Sequence, residues 1–372
     1  MANYRIAMLP GDGVGGDVLT AARRVLDAVD LKADYSHGDI GWEFWKNEGN
    51  ALPERTIRLL KSTDVCLFGA ITSKPKDEAA AELSPSLRGK GFTYSSPIVG
   101  LRQLFDLHTN LRPCKAYPGN PLNLADDIDL VVFRENTEGM YAGVEWHPIP
   151  ADIRAAFRLH PKMKRFDAVP NEDMAISARI ITRIGCRRIL RNAFEHAKKH
   201  GYKTVTVVEK ANILRETSGL MIREARAMGR EYPEIELLET NIDAMCMWLV
   251  KNPQNYGILV STNLFGDIIS DLAAQLVGGL GFASAGNIGD SYAVFEPTHG
   301  SAPKYTGMNK VNPVATIQAA RLMLDYLGER EKAERIERAI ARVIAEGKAR
   351  TYDMGGTTTT SGMADAVIAA LG

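Results

Sequence analysis

A two-domain α/β fold is what this sequence predicts, and three observations predict it. The chain has 372 residues, and at about 100 to 200 residues per domain that length makes two domains, each able to bury a core. Short, β-branched apolar runs recur along it, separated by longer stretches with helical apolar spacing. No apolar run approaches the roughly 20 residues of a membrane-crossing helix.

Taken in order, Tyr4 to Leu9 reads as a strand that turns through Gly11-Asp12-Gly13 into a helix from Gly16 to Ala28. A helix from Glu54 to Lys61 leads to a strand from Asp64 to Phe68, and Leu130 to Phe133 forms the next strand. The segment from Glu145 to Pro170 is rich in Pro, Arg, Lys and aromatics and has little periodicity. It reads as a plain surface excursion or as an arm that clasps a partner subunit. Beyond it come a helical pattern from Ala175 to His200, a strand from Thr204 to Val208, a helix from Leu214 to Arg230 and a strand from Gly257 to Ser261. A helix opens at Asn263, two more cover Val314 to Leu327 and Glu329 to Glu346, and Thr357 to Thr360 reads as a loop. Alternation of this kind places helices over the faces of a sheet.

Lys plus Arg and Asp plus Glu both total 45, so the net charge is zero. No uniform field exists to hold a polyanion or an anionic membrane, and neither partner is expected. The cysteines Cys66, Cys114, Cys186 and Cys246 are far apart and lack metal or redox spacing, which predicts buried free thiols. The opening residues MANYRIAMLPGDG pass from a short apolar run straight into a turn, without the basic flank and hydrophobic segment of a leader. A cytoplasmic location is the expectation.

Gly11-Asp-Gly13-Val-Gly-Gly16 satisfies the G-x-G-x-x-G dinucleotide fingerprint, with Asp30 and Asp34 loosely at the distance of its acidic partner. The same six residues also suit a tight strand-to-helix turn, and the motif alone does not choose. Asp267 and Asp271 lie four apart on one helix face, where like charges repel unless a cation intervenes. Oxygen-only ligands select Mg²⁺ or Mn²⁺, although acids also gather at helix N-termini for reasons of dipole. Asp243 would supply a third carboxylate. Arg102, Arg112 and Arg134 fall close together, and three planar guanidinium forks suit a di- or tricarboxylate; ordinary surface arginine is the alternative. Tyr141 and Lys210 are candidates for proton handling, against a hydrogen-bonded tyrosine and a solvated strand end. Glu296 to Tyr305, dense in turn formers, reads as a ligand loop in which His299 is a ligand or a structural residue.

Together these motifs resemble the isocitrate and isopropylmalate dehydrogenase family of β-decarboxylating dehydrogenases, over nearly the whole chain. Phe133-Arg-Glu-Asn-Thr-Glu-Gly-Met-Tyr141-Ala-Gly-Val-Glu-Trp146, Gly266-Asp-Ile-Ile-Ser-Asp271 and Glu296 to Tyr305 carry the likeness, which is nearest to bacterial isocitrate enzymes. The resemblance implies a large domain of residues 1–107 plus 278–372 and a small domain of 108–277 bearing the dimer interface and the arm near 145–170. It also implies a non-Rossmann dinucleotide site, which makes the N-terminal glycine motif a decoy. In its place Thr72, Glu296, His299, Gly300, Ser301, Ala302, Lys304, Tyr305, Asn312 and Tyr352 would bind NADP or NAD. Active sites would be shared in a homodimer, with Lys210, Asn212 and Asp243 reaching into the partner's cleft, so an isolated monomer would be inactive.

The implied reaction takes a small 2-hydroxy carboxylic acid. A metal on Asp243, Asp267 and Asp271 would chelate the hydroxyl and its neighbouring carboxylate. Lys210 would assist deprotonation, CO₂ would leave after hydride transfer, and Tyr141 would protonate the enolate. Ser96, Arg102, Arg112, Arg134 and Asn212 would hold the substrate. Ser96 matches the serine that isocitrate enzymes use, whereas Ile98 stands where they usually have asparagine and, with Val99, suits an isopropyl group. Ser95 stands where isopropylmalate enzymes carry glutamate. Isocitrate is the leading expectation, with isopropylmalate, homoisocitrate, tartrate and malate-type acids behind it. Lys304-Tyr305 and Tyr352 fit the NADP pattern, whose expected arginine is here Gly356; NADP leads and NAD stays open. A non-catalytic regulatory subunit is disfavoured because the lysine, tyrosine and aspartates are all present.

Overall fold

The computed structural model describes residues 3–372. Met1 and Ala2, on which the reading of the N-terminus partly rests, lie outside the described residues. The first half of the chain forms β1 (Tyr4–Gly11), α1 (Gly15–Ala28), β2 (Ala33–His37), α2 (Trp42–Glu48), α3 (Glu54–Lys61), β3 (Val65–Ala70), α4 (Lys76–Ala81), α5 (Pro97–Leu104), β4 (Thr109–Lys115), β5 (Asp129–Glu135), β6 (Glu145–Trp146), α6 (Ala151–Phe157) and β7 (Ile176–Ser177). Then follow α7 (Arg183–His200), β8 (Thr204–Glu209), α8 (Thr217–Gly229), β9 (Glu236–Asn241), α9 (Ile242–Lys251), β10 (Ile258–Ser261), α10 (Asn263–Leu276), β11 (Ser284–Ile288), β12 (Ala293–Pro297), α11 (Val314–Tyr326), α12 (Arg330–Glu346) and α13 (Thr360–Ala370).

Ten strands make one mixed sheet in the order β2-β1-β3-β12-β11-β4-β5-β10-β8-β9. Two parallel blocks, β2-β1-β3-β12 and β5-β10-β8-β9, run in opposite directions and meet through the antiparallel pairs of β11 and β4. Helices cover both faces, so inner strands such as β3 and β10 are buried throughout. The apolar stripe of α1 (Val18, Leu19, Ala22, Val25, Leu26) and that of α12 (Ile336, Ile340, Val343) are buried on this scaffold with α11. Around the other block, α7 and α8 pack Ile189, Leu190, Phe194 and Met221 against Val131, Val205 and Val260.

Helix bounds depart from the sequence expectation, most clearly at the start of α7. Residues 175–182 are not helical: Ile176 pairs with Trp146 in a separate two-stranded sheet, Ile180 bridges Gly139, and Thr182 caps α7 by accepting from the Gly185 amide. The apolar period there continues without a break, so only the cap marks the true start. Similarly α8 begins at Thr217, and Thr360 opens α13 with Thr359 as its cap. All four cysteines are free, but Cys246 is only partly buried, unlike the other three. The aperiodic stretch 145–170 is organised by one buried side chain. Arg154 donates to the carbonyls of Val169 (2.6 Å), Phe166 and Asp167 (both 3.1 Å) and to Asn171 Oδ1 (2.6 Å).

The N-terminal glycine turn is filled by protein. The Val14 amide donates to the Ser301 carbonyl at 2.9 Å, and the Asp12 amide donates to the Ala70 carbonyl at 2.7 Å. Asp12 in turn accepts the Trp42 and Thr72 amides at 2.6 and 2.8 Å. Gly13 has φ +56°, and a Cβ on it would lie 2.1 Å from the Ser301 carbonyl oxygen, whereas a Cβ on Gly16 meets nothing within 4 Å. The turn therefore braces the loop that follows β12 and presents no open phosphate cradle. Gly13→Ala is expected to destabilise by about 1–3 kcal/mol through strain and clash. Gly16→Ala, in the first turn of α1, is expected to be neutral or stabilising by up to about 1 kcal/mol. Thermal melts of the two variants check this, and equal effects would refute the bracing role.

Candidate active site

Period-two alternation puts residues 110, 112 and 134 on one face of the sheet and 111, 113 and 133 on the other. The register aligns Arg134, Asn110 and Asn287 across β5, β4 and β11, which makes a polar row at the centre of the molecule. Asn287 is fully buried. Its Oδ1 accepts from Asn110 Nδ2 (2.7 Å), Arg102 Nε (3.0 Å) and Asn136 Nδ2 (3.0 Å), while its Nδ2 donates to Glu296 Oε1 at 2.7 Å. One amide thus ties α5, β4, the end of β5 and β12 together.

Three buried arginines converge on this row. Arg102 also approaches Glu296 at 3.4 Å. Arg112 donates to Asn110 Oδ1 (2.7 Å), Ser270 Oγ (2.7 Å) and Asp271 Oδ1 (2.9 Å), and lies 3.3 Å from Asp267. Arg134 donates through Nε to Asn263 Oδ1 (2.9 Å) and through Nη1 to Asp267 Oδ1 (2.5 Å), and its guanidinium stands 4.8 Å from the centre of the Tyr141 ring. Its Nη2 is buried with no hydrogen-bond partner. Burial, then Arg112 and Arg102, lowers the Arg134 pKa to about 10, which leaves it protonated at neutral pH. A buried, charged donor without a partner is costly, and an anionic oxygen is the kind of group that would satisfy it.

Gly266 lets α10 come this close, since a Cβ there would meet Arg134 Cβ at 2.8 Å. The approach brings the Tyr141 hydroxyl into a short hydrogen bond with Asp267 Oδ2. Burial and that bond raise the Tyr141 pKa, so its proton is retained. Burial pushes the Asp267 carboxyl up, but Arg134 and Arg112 outweigh it and hold the group below its ordinary value. Asp271 is largely exposed one turn further along.

Lys210 and Asp243 form a separate pair at 2.6 Å, beyond the ends of β8 and β9. Donation from Lys210 keeps the Asp243 carboxyl below its ordinary range. The register Ser261↔Arg134 and Val260↔Val207 sets Lys210 two strands and two residues from Arg134. That is about 10 Å across and about 7 Å along the sheet, and within this chain the Lys210 ammonium pairs with Asp243. Among the described residues no three acidic, His or Cys side chains converge as a metal cluster. Asn212, in the same region as Lys210, is exposed. Ser96 occupies the N-cap of α5 without using its hydroxyl as a cap, and Ile98 packs partly buried against the apolar cluster that includes Leu101.

The expected dinucleotide residues gather after β12. Thr72 Oγ1 and Ser301 Oγ are 2.6 Å apart, and Ala302 adopts a left-handed φ of +39°. His299 Nδ1 donates to the Gly300 carbonyl at 3.0 Å, which fixes the proton on Nδ1 and leaves the buried Nε2 as an unpartnered acceptor. Burial lowers its pKa, keeping the ring neutral. Asn312 is engaged at both ends, with Asp353 and with the Val314 amide, each at 3.0 Å. Glu296 faces inward to Asn287 and Arg102. Sequence reasoning missed the roles of Asn136, Asn263 and Ser270, and gave Asn110 and Asn287 none. Only adjacency to the arginine and aspartate motifs could have flagged them.

The chain matches the isocitrate/isopropylmalate dehydrogenase family over residues 5–367. It is 40% identical over 364 residues to the 3-isopropylmalate dehydrogenase of Methanothermobacter thermautotrophicus, covering 98% of this chain and 97% of that protein. It is 39% identical over 370 residues to the isocitrate/homoisocitrate dehydrogenase of Thermus thermophilus, covering 99% and 98%. Protein DlpA of Legionella pneumophila is 40% identical over 98% of this chain, which spans 58% of that relative's length. The crystal structure of isocitrate dehydrogenase from Methylococcus capsulatus superposes with a TM-score of 0.85 at 37% identity, covering 99% of both chains.

Proposed function

Because this chain belongs to the isocitrate/isopropylmalate dehydrogenase family, we propose that it oxidises and decarboxylates a 2-hydroxy di- or tricarboxylic acid, with isocitrate as the substrate and NADP as the preferred oxidant. The observation that carries this reading is the converging trio Arg102, Arg112 and Arg134 beside the Asp267–Tyr141 pair, with Arg134 Nη2 buried and unpartnered. Ser96, whose hydroxyl is not used as a cap, favours a third carboxylate. Ile98, apolar and partly buried, favours 3-isopropylmalate as the second reading.

The donor set fits a hard divalent cation, since Asp267, Asp271 and Asp243 offer carboxylate oxygen alone. When bound, such an ion would supply positive charge to the substrate's oxygens, and the dinucleotide would supply the hydride acceptor. Within the proposed dimer, Lys210, Asn212 and Asp243 act in the neighbouring subunit's cleft. Lys210 takes the hydroxyl proton, the three arginines fix the carboxylates through oxidation and CO₂ loss, and Tyr141 delivers its retained proton to the enolate carbon. Met247 and Val250 on α9 and Ile268 on α10 expose more than half or about half of their surface, an apolar face that suits subunit pairing. Separate clusters around α1/α11/α12 and α7/α8 support lobes of 1–107 plus 278–372 and 108–277.

The test is nicotinamide reduction with Mg²⁺ or Mn²⁺ across isocitrate, isopropylmalate and homoisocitrate against NADP and NAD. Isocitrate with NADP is expected to dominate, and a chelator is expected to abolish turnover until Mg²⁺ or Mn²⁺ is restored. A dominant isopropylmalate rate would assign the pocket to Ile98 and Val99, and chelator resistance would refute the metal reading altogether.

A further inference from the structure

Beside the loop after β12, two tyrosines and two lysines form a cluster of which the proposed NADP site uses three members. The Tyr305 and Tyr352 rings are 5.3 Å apart. Lys304 Nζ lies 4.8 Å from the Tyr305 ring centre, and Lys310 Nζ lies 5.3 Å from that ring and 5.0 Å from that of Tyr352. Neither lysine has a carboxylate within 4.0 Å among the described residues. The nearest acid in sequence, Asp353, is turned inward to Asn312 and Thr351. The aromatic faces offer only weak compensation to two ammonium groups that repel each other.

Lys310 is also held more firmly than an ordinary surface lysine. Its neighbours on both sides are fastened to the first turn of α13. The Thr360 amide donates to the Asn309 carbonyl and the Ser361 amide to Asn309 Oδ1, both at 2.9 Å, while Asn309 Nδ2 donates to Ser361 Oγ at 2.8 Å. Thr360 Oγ1 donates to the Val311 carbonyl at 2.6 Å. The backbone that carries Lys310 is therefore fixed against the helix end, and its Nζ stands about equally far from the centres of the two rings, at 5.3 and 5.0 Å.

We infer that Lys310 is a second cation for a phosphomonoester, the 2′-phosphate of the dinucleotide, acting beside Lys304 across the Tyr305–Tyr352 platform. The inference rests on the NADP reading above. A phosphomonoester carries nearly two negative charges at neutral pH and three acceptor oxygens, which matches two ammoniums without a carboxylate partner and the phenolic hydroxyls of Tyr305 and Tyr352. Gly356 offers no charge to this edge, so the chain's own complement of cations here is Lys304 and Lys310.

The test uses the full chain and two fragments, adenosine 2′,5′-bisphosphate and 5′-AMP, with affinities measured by calorimetry. Lys310→Met is expected to weaken the bisphosphate about tenfold, equivalent to about 1.4 kcal/mol, and to leave AMP within about twofold. Lys310→Arg should restore most of the loss, and the NADP-over-NAD ratio of kcat/KM should fall in parallel for the methionine variant. Unchanged bisphosphate affinity in Lys310→Met, alongside a loss in Lys304→Met, would overturn the role of Lys310 alone. Equal affinity of the unaltered protein for AMP and the bisphosphate would overturn the NADP reading and this inference together.

Discussion

Replacing Lys210 by Met is expected to lower kcat by about 10³-fold, in the range that a positioned acid–base group contributes, while a mixture with a Tyr141→Phe variant regains activity. The two lesions fall in different side-chain pairs: Lys210 pairs with Asp243, whereas Tyr141 pairs with Asp267. If each cleft takes its lysine from the other subunit, a mixed dimer contains one cleft with both native residues and one with neither. Random exchange makes half of the dimers mixed, so recovery should approach about a quarter of the native rate. Activity assayed after denaturing and refolding the two variants together reads this directly. No recovery, with both variants shown to be dimeric, would mean that each cleft is built from one chain.

Arg134→Leu should cut kcat/KM by about 10³-fold or more with the fold retained. Arg134 is 1% exposed, and its side chain does three things at once. It fixes Asp267 through Nη1, lies over the Tyr141 ring, and leaves Nη2 free for a ligand. Truncating one partner of a buried, hydrogen-bonded charge pair costs about 2–5 kcal/mol in recognition. Asp267 keeps Arg112 at 3.3 Å and the Tyr141 hydroxyl, which limits the damage to stability. Arg134→Lys restores the charge without the planar fork and should recover no more than about tenfold of the loss. Steady-state kinetics paired with thermal melts separate the effects; a leucine variant with native KM and kcat would remove Arg134 from the substrate site.

The arginine, tyrosine and aspartate positions were legible because each sits in a local motif whose spacing implies its face: Asp267 and Asp271 four apart, Tyr141 seven beyond Arg134. The asparagines that hold them were not. Asn110, Asn136 and Asn287 carry no role in the sequence reading, and their hydrogen-bond partners lie up to 185 positions away. Strand β4 escaped notice because Pro113 interrupts it. The structure tolerates that proline since pairing with β11 ends at Leu111. At the glycine motif the sequence allowed two readings, and the Ser301 carbonyl against Gly13 decides between them. The start of α7 was overrun because Ile176, Ile180 and Ile181 extend a helical period that the chain uses for a hairpin and a bridge.

Helix α10 carries Asp267 and Asp271 together with the exposed Ile268. In the proposed dimer, the cation would be held by acids from two chains, so ion binding and subunit association are linked equilibria. Whatever factor the metal adds to the association constant, association must add to the affinity for metal. The enzyme would then gain its ion and its second subunit in one cooperative event. At low protein concentration, the metal level needed for half-maximal activity should rise as the dimer dissociates, which makes the free cation concentration a control on assembly as well as on catalysis.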